Sequence, residues 1–188
     1  ELGEMRPSLL INLLIGIKNN IARGYGNINL FECGPEFFGC HPGEQKIIAA
    51  GVRCGQTSKK HWLKENRNMD VFDAKADALA AIAAANGPFD SAKISLDAPA
   101  YYHPGRSGAL RLGANVIAYF GELHPIVLKK FGIKQRVMAF EVMLDNIPLP
   151  RNSQDKAKKK LELSAFQPVD KDMAFIVDAS VKADDILA

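Results

Sequence analysis

The sequence has no apolar run near the ~18 residues that a membrane span requires. Its densest run, Leu9–Ile17, is interrupted by Asn12. No basic segment or small-residue cleavage site frames that run as a secretory signal. No initiator Met opens the chain, which reads as beginning inside something larger or after processing. Cysteine is scarce: Cys33, Cys40 and Cys54 are odd in number and have no framework spacing, which excludes a disulfide scaffold and points to free thiols in a reducing compartment. Long blocks of one charge sign are also missing, with one exception. Residues 151–160 hold Arg151, Lys156, Lys158, Lys159 and Lys160 against Asp155, while the whole chain nets only +3. A basic field over the whole chain is excluded; a local patch is not. What remains is ordinary: 188 residues, 47% hydrophobic and 24% charged, enough for one core and against wholesale disorder.

The local patterns predict an α+β chain. Leu9, Leu10, Leu13, Leu14, Ile17 and Ile21 recur at helical spacing, with Pro7 in the first turn and Gly24 and Gly26 as the stop. Asn29–Cys33 alternates as a strand that Gly34-Pro35 breaks or bulges, and Gln45–Cys54 reads as a second, longer strand. Thr57–Met69 is a polar loop anchored by Trp62. The alanine-rich Asp73–Ala85 is helical, ended by Asn86-Gly87. Ala92–Leu96, Ala109–Leu112, Val116–Phe120 and Val137–Leu144 read as strands, Pro99–Gly108 as a loop, and Pro125–Phe131 as a short helix closed by Gly132. Cys33 and Cys54 fall on strands and are expected to be buried. Beyond Pro148, residues 149–162 form a basic linker. Met173–Val177 then reads as a strand and Ser180 as the N-cap of a short helix.

Three clusters invite chemistry. Cys33, Cys40, His41, Cys54 and His61 are soft donors, but zinc sites pair ligands two to four residues apart, and the cysteine gaps here are wider. No metal is expected. Cys40 beside His41 suggests a nucleophile and its base, yet neighbours on a strand face opposite ways. Tyr102, His103 and Arg106 share a loop with Tyr101, Pro104 and Gly105; they read as an anion pocket or, more simply, as a turn with Tyr102 packed inward and Arg106 paired to a carboxylate.

Seven ordered segments carry a family resemblance: MRPSLLINLLIGIKNNIARG (5–24), NLFECGPEFFG (29–39), FDAKADALAAIAA (72–84), YYHPGRSGALRLG (101–113), IAYFGELHP (117–125), MAFEVMLDNIP (138–148) and FQPVDKDMAFIVDA (166–179). Together they resemble the C-terminal half of the bacterial phenylalanine–tRNA ligase beta-subunit family. The resemblance implies a class II aminoacyl-tRNA synthetase-like module over 1–148 that has lost its chemistry. It implies the start of a ferredoxin-like anticodon-binding domain, truncated, over 163–188. It further implies a cytoplasmic alpha2beta2 ligase in which the alpha subunit carries the active site and tRNA(Phe) is the substrate. The assembled enzyme would use ATP and Mg2+; the family's magnesium carboxylates and editing domain would lie upstream of Glu1. Active class II sites carry an Arg in a Phe-Arg-x-Glu pattern, and here Phe38 stands in its place within Glu36–Cys40. No Arg follows Phe120–Pro125 in the late motif either. No catalytic or cofactor-binding residue is therefore expected. The candidate tRNA contacts are Arg151, Lys156, Lys158, Lys159, Lys160 and Lys171; the candidate subunit contacts are Tyr102, His103 and Arg106. Family members tend to carry Arg-Asp at Lys171-Asp172, so the charge is kept and the fork geometry is not. The rival readings are a free-standing nucleic-acid-binding module that uses the 151–160 run, and a small hydrolase built on Cys40 or His103.

Overall fold

Ser8 sets the start of the first helix. Its backbone is extended and its Oγ accepts from the amide of Leu10, so α1 runs over Leu9–Ala22. Pro7 thus precedes the cap instead of occupying the first turn, where a side chain able to cap is needed more than a fixed φ. The computed structural model describes residues 5–58, 61–63, 66–148, 166–181 and 186. The chain divides into two units, Glu1–Arg151 and Asn152–Ala188.

The first unit is built on one antiparallel sheet in the order β1-β2-β6-β5-β4-β3. Its strands are β1 (Ile28–Phe37), β2 (Gln45–Cys54), β3 (Lys93–Ser95), β4 (Tyr102–Leu112), β5 (Asn115–Leu123) and β6 (Val137–Met143). β1 runs straight through Gly34-Pro35, where a break was expected. β1 is an edge strand, and there a proline removes no ladder bond that the sheet needs. β4 begins at Tyr102, inside the expected loop. Pro104 and Gly105 are absorbed by a register shift between Tyr102 and Ser107, not by an excursion away from the sheet.

Two helices cover opposite faces. α1 and the short α3 (Pro125–Phe131) bury Leu9, Leu13, Leu14, Ile17 and Leu128 against Ile48, Ala50, Val52, Val137 and Ala139. α3 ends on Gly132 in the left-handed conformation, φ 74°. α2 (Val71–Ala84) lays Ala74, Ala78 and Ile82 on Ala118, Phe120, Met138, Phe140 and Val142. Alanines let this helix approach the strands closely. Its start lies at Asp70, whose carboxylate caps the amides of Phe72 and Asp73 while Asp73 reaches back to the amide of Asp70. α2 leaves the outer end of its face open at β1, so Phe31 is 63% exposed and Cys33 lies on the surface instead of being buried. Trp62 is 88% exposed and stacks on His61, so among the described residues it is not the buried anchor expected of it.

In the second unit the described residues form no strand. Met173, Phe175 and Ile176 are exposed, and a turn at Ala179-Ser180 is closed by the amide of Val181 on the Asp178 carbonyl. Met173–Val177 alternates as a strand should, but among the described residues it has no neighbour to pair with. The expected linker lies outside the described residues. No helix among them is long and apolar enough to cross a membrane.

Candidate functional site

Carboxylates are rare inside proteins, and this sheet buries three. Glu36 is 5% exposed, Glu122 2% and Glu141 3%. They define two buried polar constructions among the described residues of the first unit.

Glu36 and Glu141 lie on the α1 face, on β1 and β6, where α1 begins and its cover stops. The amide of Leu9 donates to Glu36 Oε1 at 2.7 Å, so this carboxylate satisfies a free donor of the helix start. Glu141 Oε2 accepts from the hydroxyls of Tyr101 (2.9 Å) and Tyr102 (3.1 Å), and Oε1 accepts from Ser8 Oγ at 3.3 Å. Burial raises Glu141 to about 7 against those hydrogen bonds, and the charge of Glu36 adds to the rise. Burial also raises Glu36, opposed by the Leu9 amide. Both tyrosine hydroxyls are pushed well above their ordinary range, first by burial and then by Glu141.

Glu36, Tyr101 and Glu141 floor a cleft of about 570 Å³. Its wall holds Phe38, Lys46, Ile48, Tyr119, Asn115 and Asp145. The Lys46 ammonium sits 5.8 Å from the centre of the Phe38 ring, and Asp145 accepts from the amide of Ile47. Lys46 is the one cation among the lining residues, against three carboxyl groups. A cleft so lined offers no guanidinium fork for a phosphate.

The second construction lies on the α2 face. Arg106 donates to Glu122 through Nε at 2.7 Å and through a second guanidinium nitrogen at 3.1 Å, and Arg136 Nε reaches Glu122 Oε2 at 2.9 Å. Burial pushes the Glu122 carboxyl up, but the hydrogen bonds from the two arginines outweigh it and hold it at about 2. Tyr102, His103 and Arg106 are therefore not one pocket. Tyr102 is 1% exposed in the α1-side core and reaches no partner surface. Arg106 is committed to Glu122. His103 stacks on His124 at 6.3 Å, and its Nδ1 accepts from the amide of Gly105. The surface candidates narrow to His103 and Arg106.

The family model described as phenylalanyl tRNA synthetase beta chain CLM domain matches residues 1–144. The chain belongs to the phenylalanyl-tRNA synthetase beta chain family. The resemblance carried by the seven segments holds along the chain. A phenylalanine–tRNA ligase beta subunit of Rhodospirillum rubrum is 48% identical over 187 residues, covering 100% of this chain and 23% of its own length. That of Paramagnetospirillum magneticum is 45% identical over 187 residues, with the same coverage. The chain thus spans about a quarter of the length of the curated relatives it matches. Among solved structures, a pyrrolysyl tRNA synthetase of Desulfitobacterium hafniense matches with a TM-score of 0.54 at 15% identity, over 74% of this chain and 47% of that one. At that identity the likeness is one of fold: a tRNA synthetase sheet carries this beta-chain sequence.

Of the remaining candidates, Arg151, Lys156, Lys158, Lys159 and Lys160 lie outside the described residues, and Lys171 is exposed. Cys40 and Cys33 are on the surface; Cys54 is buried, its thiol donating to Gln135 Oε1 at 2.6 Å and pushed to about 11 by burial. Such a thiol is no nucleophile at neutral pH. Sequence reading missed Glu36 and Glu141. A lone carboxylate in Val137–Met143, flanked at i±2 by Ala139 and Met143, was the available signal, since those neighbours share its face.

Proposed function

We propose that this chain is a non-catalytic, class II-like module of a phenylalanine–tRNA ligase beta subunit. It scaffolds the catalytic alpha subunit and helps to position tRNA(Phe) during ATP-dependent attachment of phenylalanine. The observation that carries this reading is the lining of the cleft. Phe38, which by the resemblance takes the place of a class II arginine, lines the same space as Glu36, Glu141 and Asp145, with Lys46 as the sole cation among the lining residues. A developing phosphate charge needs fixed cations, and this cleft opposes it with carboxyl groups. ATP and Mg2+ then belong to the assembled alpha2beta2 enzyme in the cytoplasm, and this reading assigns them no ligand among the described residues.

The outer side of α1 supports the scaffolding role. Ile11 and Ile15 stand one turn apart there, 38% and 45% exposed, and present an apolar stripe suited to a partner. Residues 163–188 are read as the opening of a ferredoxin-like anticodon-binding domain, with 149–162 as its tether. Two measurements test the proposal. The purified chain should give no phenylalanine-dependent pyrophosphate exchange above a buffer blank, and it should co-purify with a phenylalanine–tRNA ligase alpha subunit. Exchange activity, or failure to bind the alpha subunit, would sink it.

A further inference from the structure

Charge is unevenly shared in the first unit. From Met5 to Phe31 there is no carboxylate, and from Leu123 to Phe140 there is none either. The same two stretches contain Arg6, Lys18, Arg23, Lys129, Lys130, Lys134 and Arg136. The two stretches contain α1 and α3, which pack together on one face of the sheet. Lys18 and Lys134 line the same groove, about 320 Å³, together with Ile21 and Ile133. Lys129 and Lys130 occupy the exposed side of α3, and Arg23 caps α1. Arg6 and Arg136 are paired to Glu32 and Glu122. Among the described residues, the other five hold no ion pair.

The bland account of these cations is helix capping: lysines in the last turn of α3 suit its negative end. That account covers Lys129 and Lys130. It does not explain Lys18 and Lys134 lining one groove, or the absence of any acid from both stretches. Like charges crowded on a surface repel, and a protein that keeps them gains from an anion brought to that surface.

We propose that the α1–α3 face, through Lys18, Lys129, Lys130 and Lys134, binds the phosphate backbone of RNA. Lysines are point charges on flexible stems; they track a phosphate chain, whereas carboxylates of a protein partner are better met by arginine forks. Tyr25, 61% exposed and two residues beyond Arg23 at the end of α1, offers an aromatic ring for stacking. No base-edge reader accompanies the lysines, so the recognition is of backbone and not of sequence. This inference rests on the tRNA-positioning role proposed above and uses none of the cations of residues 151–160.

The test uses the full 188-residue chain and fluorescence anisotropy with a labelled tRNA(Phe) transcript and an unrelated short RNA duplex, across a salt series. Changing Lys18, Lys129, Lys130 and Lys134 together to Gln should weaken both probes at least about tenfold at low salt. It should also flatten the log–log salt slope by about 3, at about 0.7–0.9 for each phosphate no longer neutralised. The same four changed to Arg should keep affinity and slope. Circular dichroism melts of both variants should match the parent, because all four side chains are exposed. An unchanged slope in the Gln variant overturns the inference. So does a Gln variant that loses the alpha subunit but keeps RNA. If only a variant lacking the 151–160 cations loses RNA, this inference fails while the positioning role stands; if the parent chain binds neither RNA, both fail.

Discussion

The hydroxyl of Tyr102 donates to Glu141 Oε2 at 3.1 Å, from a side chain that is 1% exposed. One hydrogen bond thereby ties β4 to β6 across the intervening β5. Ser8 on the same carboxyl group adds the start of α1. The bond is a donation to a group that titrates near neutrality, so the junction of two strands and a helix depends on pH. Burial holds the Glu141 pKa at about 7, above the ordinary carboxylate value of 4.5. Between those values the folded chain keeps a proton that the unfolded chain has lost. Stability therefore falls as pH rises through that window and is flat above it. The full shift corresponds to about 3 kcal/mol. Urea denaturation of the parent should show higher stability at pH 5 than at pH 8 by roughly this amount, with Glu36, also raised by burial, adding in the same sense. Glu141→Gln keeps the acceptor for both tyrosines and should remove most of the difference. A pH dependence that survives in the Gln variant would place its origin elsewhere.

Gly121 makes a second demand on the same sheet. Its φ is +145°, and a Cβ built there would stand 2.5 Å from Ser107 Cα and 2.6 Å from the Arg106 carbonyl. Both obstacles are backbone in the irregular stretch of β4, so neither can swing away. Gly121→Ala should cost about 2 kcal/mol or more, from backbone strain plus the clash. A thermal melt within a degree of the parent would show that the strand relaxes around the methyl group.

Asp70 closes the start of α2 through the amides of Phe72 and Asp73. Asp73, held below its ordinary range by its hydrogen bond to Arg67, returns the contact to the amide of Asp70. Asp70→Ala removes half of that reciprocal cap and should cost about 1 kcal/mol. Asp70→Ser retains an acceptor and should recover most of it. Equal losses in the two variants would mean that the cap is not what matters at this position.

Periodicity located nearly every element of the first unit, because helices and strands report on which side is covered. β2, Gln45–Cys54, matches its expected bounds at both ends, and α3 does as well. Where the reading failed, a residue's local preference was overridden by its place in the sheet. Pro35 and Pro104 both signal a break, yet the first lies on an edge strand and the second in a register shift, where the ladder tolerates them. Cys33 alternates as a buried position should, but α2 does not reach β1, and alternation cannot reveal where a helix ends laterally. The cleft was legible only in part. Phe38 stood out by resemblance. The pairing of Glu36 with Glu141, 105 positions apart in sequence, arises from strand order, and no local pattern encodes that order.

Glu122 carries the last expectation. It is buried to the same degree as Glu141 yet titrates in the opposite sense, and the difference lies in its neighbours. Glu141 receives neutral hydroxyls and sits near another carboxylate. Glu122 receives four guanidinium donors from Arg106 and Arg136 at 2.5 to 3.1 Å. Fixed positive charge outweighs burial and holds the carboxyl at about 2. A lowered pKa stabilises the fold above the ordinary carboxylate value and is lost as pH falls toward 2, so this site fails in acid while the Glu141 site is strengthened there. Replacing both arginines by Leu leaves burial acting alone. In Arg106→Leu/Arg136→Leu the Glu122 carboxyl, followed by carbon-detected NMR titration, should rise above the ordinary range, and the acid limb of the stability curve should shift with it. Arg106→Leu alone should move it only part of the way, since Arg136 reaches Oε2 independently. If the double variant still titrates near 2, the arginines do not set this charge, and the field must come from the sheet itself.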